Sequence, residues 1–246
     1  MNKIIALWTH PRSISTAFER VMMERGDLNI LHEPFSYFYY VQHQDKASIS
    51  QESVDPGHPT NYPEIREHIR NAAEKQPVFF KDMCSHCYEE LAKDDAFLSV
   101  MSNTFLIRDP AKAIASYYAM NKNVTLDEIG LEQLSGIFKQ VSAISGKTPI
   151  VVDADDLEDN PDGTIKAYCE ALKIPFIPEA MTWKEEHKEQ WDIWKEWHKD
   201  AAKSSGITKN MEKFEVTVEN SAHLRKYYDY HLPFYQSMYK HRIQPV

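Results

Sequence analysis

Lys3-Ile-Ile-Ala-Leu-Trp8, then Thr9-His-Pro-Arg-Ser-Ile-Ser-Thr16, then Ala17-Phe-Glu-Arg-Val-Met-Met-Glu-Arg25 closed by Gly26, form the stretch that decides the fold. The first piece is a short apolar run, long enough for a buried strand and too short for a helix. The second is polar, holds Pro11, and offers hydroxyl side chains suited to capping a helix. From Thr16 the pattern turns helical, with Phe18, Val21 and Met22 on one face and Gly26 as a left-handed stop. A strand that runs through a tight turn into a helix aims several backbone N–H groups at one point. The helix dipole adds partial positive charge there. Arg12 contributes a planar, permanently charged fork suited to phosphate or sulfonate oxygens. The turn therefore reads as an oxyanion cradle. It is not a nucleotide-hydrolysing P-loop of the Gly-x4-Gly-Lys-[Ser/Thr] type, because it has no glycine and no lysine before Ser15 or Thr16.

Working outward, the 246 residues are enough for one large domain with a substantial core. The 28 basic and 37 acidic side chains leave a formal charge of −9, which argues against non-specific nucleic-acid binding and against an anionic membrane as partner. No apolar run approaches the roughly 20 residues that span a bilayer. The opening lysine and strand-like run are not built like a signal peptide, so the expected location is cytoplasmic. Three cysteines are too few for a disulfide framework. Cys84-Ser-His-Cys87 has C-x-x-C spacing but no second ligand pair, so buried thiols are expected there and no metal.

Along the chain, Leu28-Asn-Ile-Leu31 reads as a second strand that delivers His32-Glu33-Pro34 to the carboxyl edge of a sheet. That edge is where open α/β sheets bind ligands. The aromatic run Phe35 to Val41 suits core or a pocket wall. Residues 42–62 are polar, contain Pro56, Gly57 and Pro59, and read as a long mobile loop of the lid or binding-loop kind. A helix opens at Pro63. Pro77 to Met83 is a third strand ending in Lys81 and Asp82, and Glu89 to Val100 reads as one or two helical pieces. Asn103 to Ile107 is a fourth strand, followed by a helix with Asp109 as cap and Pro110 at its first position. Thr125-Leu-Asp-Glu128 is a capping-box signature that opens helical sequence to Gly146. Pro149 to Asp153 is a fifth strand, and Asn160-Pro161 starts a helix to Leu172. From about residue 180 the chain reads as helical. Trp191, Trp194 and Trp197 are spaced for a core face, and two aromatic helices follow, around His223 to Tyr230 and after Pro233. The fold class is α/β, a single domain over 1–246. Its central parallel sheet has about five strands, P-loop-like in arrangement, with helices on both faces.

Two of these strand-turn-helix units together resemble the sulfotransferase superfamily that uses 3′-phosphoadenosine 5′-phosphosulfate (PAPS). Pro11-Arg12-Ser13-Ile14-Ser15-Thr16 is similar to the family's Pro-[Lys/Arg]-Ser-Gly-[Thr/Ser]-[Thr/Ser] turn, which holds the 5′-phosphosulfate. Arg108-Asp109-Pro110 through Ser116-Tyr117-Tyr118 is similar to the motif that holds the 3′-phosphate. Ala154-Asp-Asp-Leu157, Pro161 and Cys169 to Pro175 look like a third family segment, so the likeness reaches to about residue 180. The resemblance implies donor contacts from Arg12, Ser13, Ile14, Ser15 and Thr16 at one end and Arg108 and Ser116 at the other. It implies transfer of the sulfuryl group to a hydroxyl or amine of a small-molecule acceptor, with release of adenosine 3′,5′-bisphosphate (PAP) and without a metal.

The chain departs from the family in three places. Ile14 stands where a glycine is usual, so the turn is expected to do without a left-handed residue there. No Gly-x-x-Gly-x-x-Lys segment is found near the C-terminus. Lys81-Asp82-Met83 replaces Lys-Thr-His on the third strand. These departures suggest a divergent, bacterial-like branch in which a glutamate after the second strand acts as base. Glu33 is the first candidate, with His10 and His86 behind it, and Lys81 stands ready to neutralise the bridging oxygen. The alternatives are a nucleotide-dependent kinase or hydrolase of P-loop type, or a protein that binds PAP without turnover.

Overall fold

The computed structural model describes residues 2–42, 57–188, 191, 199–209 and 213–246. Its centre is a five-stranded sheet in the order β2-β3-β1-β4-β5. The strands are β1 (Ile4–Thr9), β2 (Asn29–His32), β3 (Val78–Met83), β4 (Ser102–Ile107) and β5 (Ile150–Asp153), and every pairing is parallel. Side chains alternate across a strand, and β1 shows the consequence. Ile4, Ala6 and Trp8 enter one apolar layer, while Ile5 and Leu7 enter the other, and all five are buried. Helices α1 (Ser15–Glu24) and α9 (Pro161–Leu172) cover the second layer; α3 (Tyr62–Lys75), α7 (Leu131–Ser145) and α11 (Ala222–Tyr239) cover the first. The remaining helices are α2 (Ser36–Gln42), α4 (Tyr88–Leu91), α5 (Asp95–Ser99), α6 (Pro110–Met120), α8 (Ala154–Asp159) and α10 (Lys199–Ala202). Among the described residues, no helix is long and apolar enough to cross a membrane.

Several helix boundaries follow directly from their capping residues. Asp109 caps α6 by accepting from the Ala111 N–H at 2.8 Å, and Asn160 caps α9 by accepting from Gly163 at 3.0 Å, each with proline at the first position. Three expectations need correction. Thr125 and Glu128 do bond to one another, but Gly130 at φ 78° breaks the helix. A 3₁₀ turn over Asp127–Ile129 therefore precedes α7. The two aromatic helices foreseen near the end are one, α11, with Pro233 inside it. Packing of its Leu224 and Met238 into the first layer outweighs the lost N–H. The turn before α1 is the third and is described below. The loop expected over 42–62 lies largely outside the described residues, as do Trp194 and Trp197. Trp183 and Trp191 are buried with the Arg20 guanidinium held 5.5 and 5.8 Å from their ring centres.

Past α11 the chain turns back along the outer edge of β5. The Ile243 N–H donates to the Val151 carbonyl at 2.9 Å, and the Val246 N–H to Gly163 at 3.2 Å. Cys84, Cys87 and Cys169 are free and buried. Burial pushes the thiols of Cys84 and Cys87 well above their usual range, so both stay protonated. Among the described residues, no group of three or more acidic, histidine or cysteine side chains is placed to hold a metal.

Candidate active site

The connection out of β1 runs to one side of the sheet, through β2 and β3, before the chain crosses to β4 on the other. The carboxyl end of β1 is thus a topological switch point, where open α/β sheets leave a crevice. Three segments meet there. The turn 10–14 leaves β1, Lys81 to Met83 end β3, and Arg108 follows β4.

The turn after β1 is more strained than its sequence suggests. Arg12 and Ile14 both have positive φ, at 62° and 58°, and Ile14 is the N-cap of α1 in the left-handed region. That corrects the expectation that the turn does without a left-handed residue. The chain keeps the backbone path and places a β-branched residue on it, at a cost of about 1–2 kcal/mol. Nor do the hydroxyls cap the helix. Thr9 and Ser13 share a short hydrogen bond, and Ser13 Oγ donates back to the His10 carbonyl at 2.8 Å. These contacts cinch the loop, so the helix N-terminus remains directed at the crevice, where it suits an anion.

The two arginines stand together. Arg108 donates from one terminal nitrogen to the Arg12 carbonyl at 3.0 Å and lies 3.5 Å from Glu158 with the other. Its Nε is buried with no hydrogen-bond partner in the protein. Arg12 Nε donates to Ser116 Oγ at 2.8 Å, which ties the first turn to the second turn of α6. The residues expected at opposite ends of a donor therefore form one continuous basic wall.

Across from it sits a buried ion pair. Lys81 Nζ donates to Glu33 Oε1, and both side chains are within a few per cent of complete burial. Burial draws the lysine pKa down, but the carboxylates of Glu33 and Glu19 outweigh it, and the net direction is up. Lys81 is therefore cationic. Glu33 itself has φ 40°, and its N–H donates to the Lys81 carbonyl at 3.0 Å. Next to this pair, His86 Nδ1–H donates to Asp82 Oδ1 at 2.7 Å, while Asp82 also accepts from the N–H groups of Phe35 and Met83. Burial raises the Asp82 pKa against the opposing pull of His86.

His10 is placed otherwise. It is buried behind the turn, its Nε2 accepts from the Arg108 N–H at 3.0 Å, and it does not line the crevice. Burial, helped by His231 and Arg108, lowers its pKa to about 3, so it is neutral and braces Arg108.

The crevice has a volume of about 590 Å³. Residues 11–16, Glu33, Lys81, His86 and Arg108 line it, while Ser116 reaches it through Arg12. The aromatic run after β2 divides. Phe35 and Phe38 are core, and Tyr39 and Tyr40 face the crevice. Sequence reasoning missed Tyr117, Glu128 and Glu158, and it missed the segment Ser204 to Lys209, whose Gly206, Ile207, Thr208 and Lys209 close another side. A small polar run ending in lysine is a faint signal. The bridge of Gly206 to Thr182, the Trp183 N–H donated to the Ser205 carbonyl at 3.1 Å and the ion pair of Lys209 with Asp159 bring it to the site.

Residues 2–242 match the family model described as Sulfotransferase domain. Among characterised relatives, two proteins of Arabidopsis thaliana named Branched-chain-amino-acid aminotransferase-like protein 2 and protein 1 are 23% and 24% identical over 84% of this chain. The matched stretch is 36% and 37% of those proteins, so this chain spans about a third of their length. The crystal structure of a sulfotransferase from Alicyclobacillus acidocaldarius superposes with a TM-score of 0.56. It covers 99% of this chain and 98% of that one at 11% identity, a likeness of fold.

Proposed function

We propose that this chain, which belongs to the sulfotransferase-domain family, moves a sulfuryl group from PAPS to a hydroxyl or amine of a small-molecule acceptor. The observation that carries the reading is the joined pair Arg12–Ser116 and Arg108–Arg12 at the switch point of the sheet. A donor with phosphate at both its 5′ and 3′ positions needs two cationic contacts at a fixed separation. The buried, unpartnered Nε of Arg108 supports that fit, because a bound phosphate oxygen would satisfy it. The volume of about 590 Å³ is in the range of nucleotide-sized pockets.

In the proposed reaction the acceptor oxygen or nitrogen forms a bond to sulfur while the bond from sulfur to the bridging phosphate oxygen breaks. The electron pair of the broken bond stays on the 5′-phosphate of PAP. The acceptor proton passes to Glu33, the carboxylate on the acceptor side of the crevice. Arg12, the N-terminus of α1 and the Lys81 ammonium oppose the charge that grows on the leaving phosphate. Holding donor and acceptor in line supplies the rest. His86 is a second reading for the base, favoured by its hydrogen bond to the buried Asp82, an orienting arrangement for an imidazole. A PAP-binding protein without turnover is the other-class reading, and a kinase or hydrolase is disfavoured by the lysine-free turn. The free, buried cysteines suit a reducing compartment, and cytoplasmic residence is part of the proposal.

The test is a binding series of PAPS, PAP, AMP, adenosine 5′-phosphosulfate, ATP and GTP, together with transfer of labelled sulfate to an acceptor library. PAP is expected to bind at least tenfold more tightly than AMP, with label appearing in an acceptor. Preference for nucleotides phosphorylated only at the 5′ position would overturn the donor. Tight PAP binding with no transfer to any acceptor or extract would favour the binding protein.

A further inference from the structure

Lys81 has a second carboxylate behind it. β3 turns Phe79 into the layer under α1, and alternation along the strand puts Lys81 on the same side. His32 of β2 stands opposite Lys81 in the register and shares that side with Ile30. From α1, Glu19 reaches into this space with its side chain completely buried. Its Oε2 accepts from His32 Nδ1–H at 2.7 Å and from Trp191 Nε1–H at 3.3 Å, while its Oε1 is buried with no hydrogen-bond partner. Lys81 is the complement. An ammonium carries several N–H groups, and Glu33 Oε1 is the one acceptor that Lys81 Nζ has among the described residues. The carboxylates acting on Lys81 are Glu33 after β2, Glu19 from α1 and Asp82 from its own strand, and each raises its pKa. His32 on the neighbouring strand, with Arg12 and His86 along the crevice, completes its titratable and charged surroundings.

Glu33 by itself serves its two roles badly. A carboxylate tied to an ammonium is a poor base, and once it has taken a proton it no longer neutralises that ammonium. Burial then favours loss of the Lys81 proton, and with it the charge that opposes the leaving phosphate. An unpartnered carboxylate oxygen in the same layer resolves the conflict. We propose that Glu19 is a positioning residue that acts through Lys81. As the acceptor proton passes to Glu33, a Lys81 N–H leaves Glu33 Oε1 for Glu19 Oε1. Lys81 keeps all its protons, Glu33 gains the one the acceptor loses, and the cation outlasts the step. Lys81 and Glu33 line the crevice and Glu19 stands behind them. The inference rests on the sulfotransfer reading with Glu33 as base, and deepens it.

The test reads Lys81 directly and needs no acceptor. In the whole chain, the nuclear magnetic resonance signal of isotopically labelled Lys81 Cε is titrated with pH, and its loss in Lys81→Met assigns it. Glu33→Gln reproduces a side chain at that position without charge, as after proton transfer. Adding Glu19→Gln, which keeps an oxygen for His32 and Trp191, is expected to lower the Lys81 midpoint by about one pH unit or more relative to Glu33→Gln alone. An equal or higher midpoint overturns the inference and leaves Glu19 as an anchor for His32 and Trp191. Should the double variant not fold, Glu19→Gln against the unaltered chain decides in the same sense, with a fall expected and an equal or higher midpoint overturning the role. PAP affinity, measured in the same samples, separates the two levels. PAP binding no tighter than AMP rejects the donor reading whatever Lys81 does. Tight PAP binding with a Lys81 midpoint indifferent to Glu19 rejects the role of Glu19 alone.

Discussion

Arg108 directs one guanidinium nitrogen to the Arg12 carbonyl and another toward Glu158, and keeps its Nε buried without a partner. On the proposed donor reading, removing it subtracts a charge-assisted contact to the 3′-phosphate of PAP and none to a 5′-phosphate. Arg108→Ala is expected to weaken PAP by about 2–3 kcal/mol and AMP by less than a factor of about three, as read by calorimetry. Equal losses would assign Arg108 to bracing the turn. Glu33 raises a separate question, because it is both the proposed base and the counter-ion of a buried lysine. Glu33→Gln should lower turnover by about 10²–10⁴-fold with PAP affinity retained. It should also lower the melting temperature, since Lys81 loses its charged partner. The double variant Glu33→Gln/Lys81→Met should regain stability and not activity. Recovery of activity in the double variant would show that Glu33 acts only by neutralising Lys81. At this scale the sequence was partly legible. Arg12, Arg108 and Glu33 each follow a strand, and their types suit anions and protons. The partner of Glu33 was not, because the pairing of Lys81 with Glu33 in place of Asp82 depends on the β2–β3 register, which puts His32 opposite Lys81.

Helix α1 and the turn before it show what pattern reading reaches and where it stops. The periodicity of Phe18, Val21 and Met22 and the left-handed Gly26 locate the helix within a residue or two. The left-handed Ile14 escapes, because a β-branched side chain is the last type expected at φ 58° and only the surrounding contacts hold it there. Ile14→Gly relieves that strain while giving up a half-buried side chain that packs on the second layer. The two effects are each about 1–2 kcal/mol and opposed, so stability by urea denaturation is expected to change by less than about 1 kcal/mol. A Leu7→Ala change in the adjacent strand should cost about 2–5 kcal/mol. At the far strand, Asp153 caps α8 through the Asp155 N–H and accepts from Tyr235 of α11 at 3.0 Å. Burial raises its pKa from 3.8 to about 6 despite those bonds. The folded protein holds that proton more tightly than the unfolded chain, so this carboxyl makes stability fall as pH rises from about 4 to 6. Asp153→Asn should remove that slope and leave α8 capped.

For the molecule as a whole, the buried histidines act in the opposite sense. His10 is lowered from 6.5 to about 3, and burial also lowers His231. The unfolded chain takes up protons below pH 6.5 that the folded chain refuses, so this stability is complete above 6.5 and is lost as pH falls toward 3. Urea midpoints at pH 7.5 and 5.5 should show a loss of about 1 kcal/mol from His10, and His10→Gln should remove that part. An unchanged difference in that variant would place the acid sensitivity elsewhere. The five strands and their parallel sense, though not their order in the sheet, were legible because each is a short apolar run between helical stretches, a pattern that requires crossovers. Pro233 was misleading for a reason of equal scale, since proline marks a helix end locally and α11 is held globally by what it packs on. The backward run of 242–246 along β5 carries one more implication. Parallel sheets expose hydrogen-bonding groups at their outermost strands, which invite pairing with a neighbour. The Ile243 amide covers this border from within the same chain, and the Val246 amide fastens the end of the run to α9. A variant lacking residues 242–246 should consequently self-associate more than the full chain in light-scattering chromatography while its nucleotide affinity persists, turning a sealed border into an adhesive one.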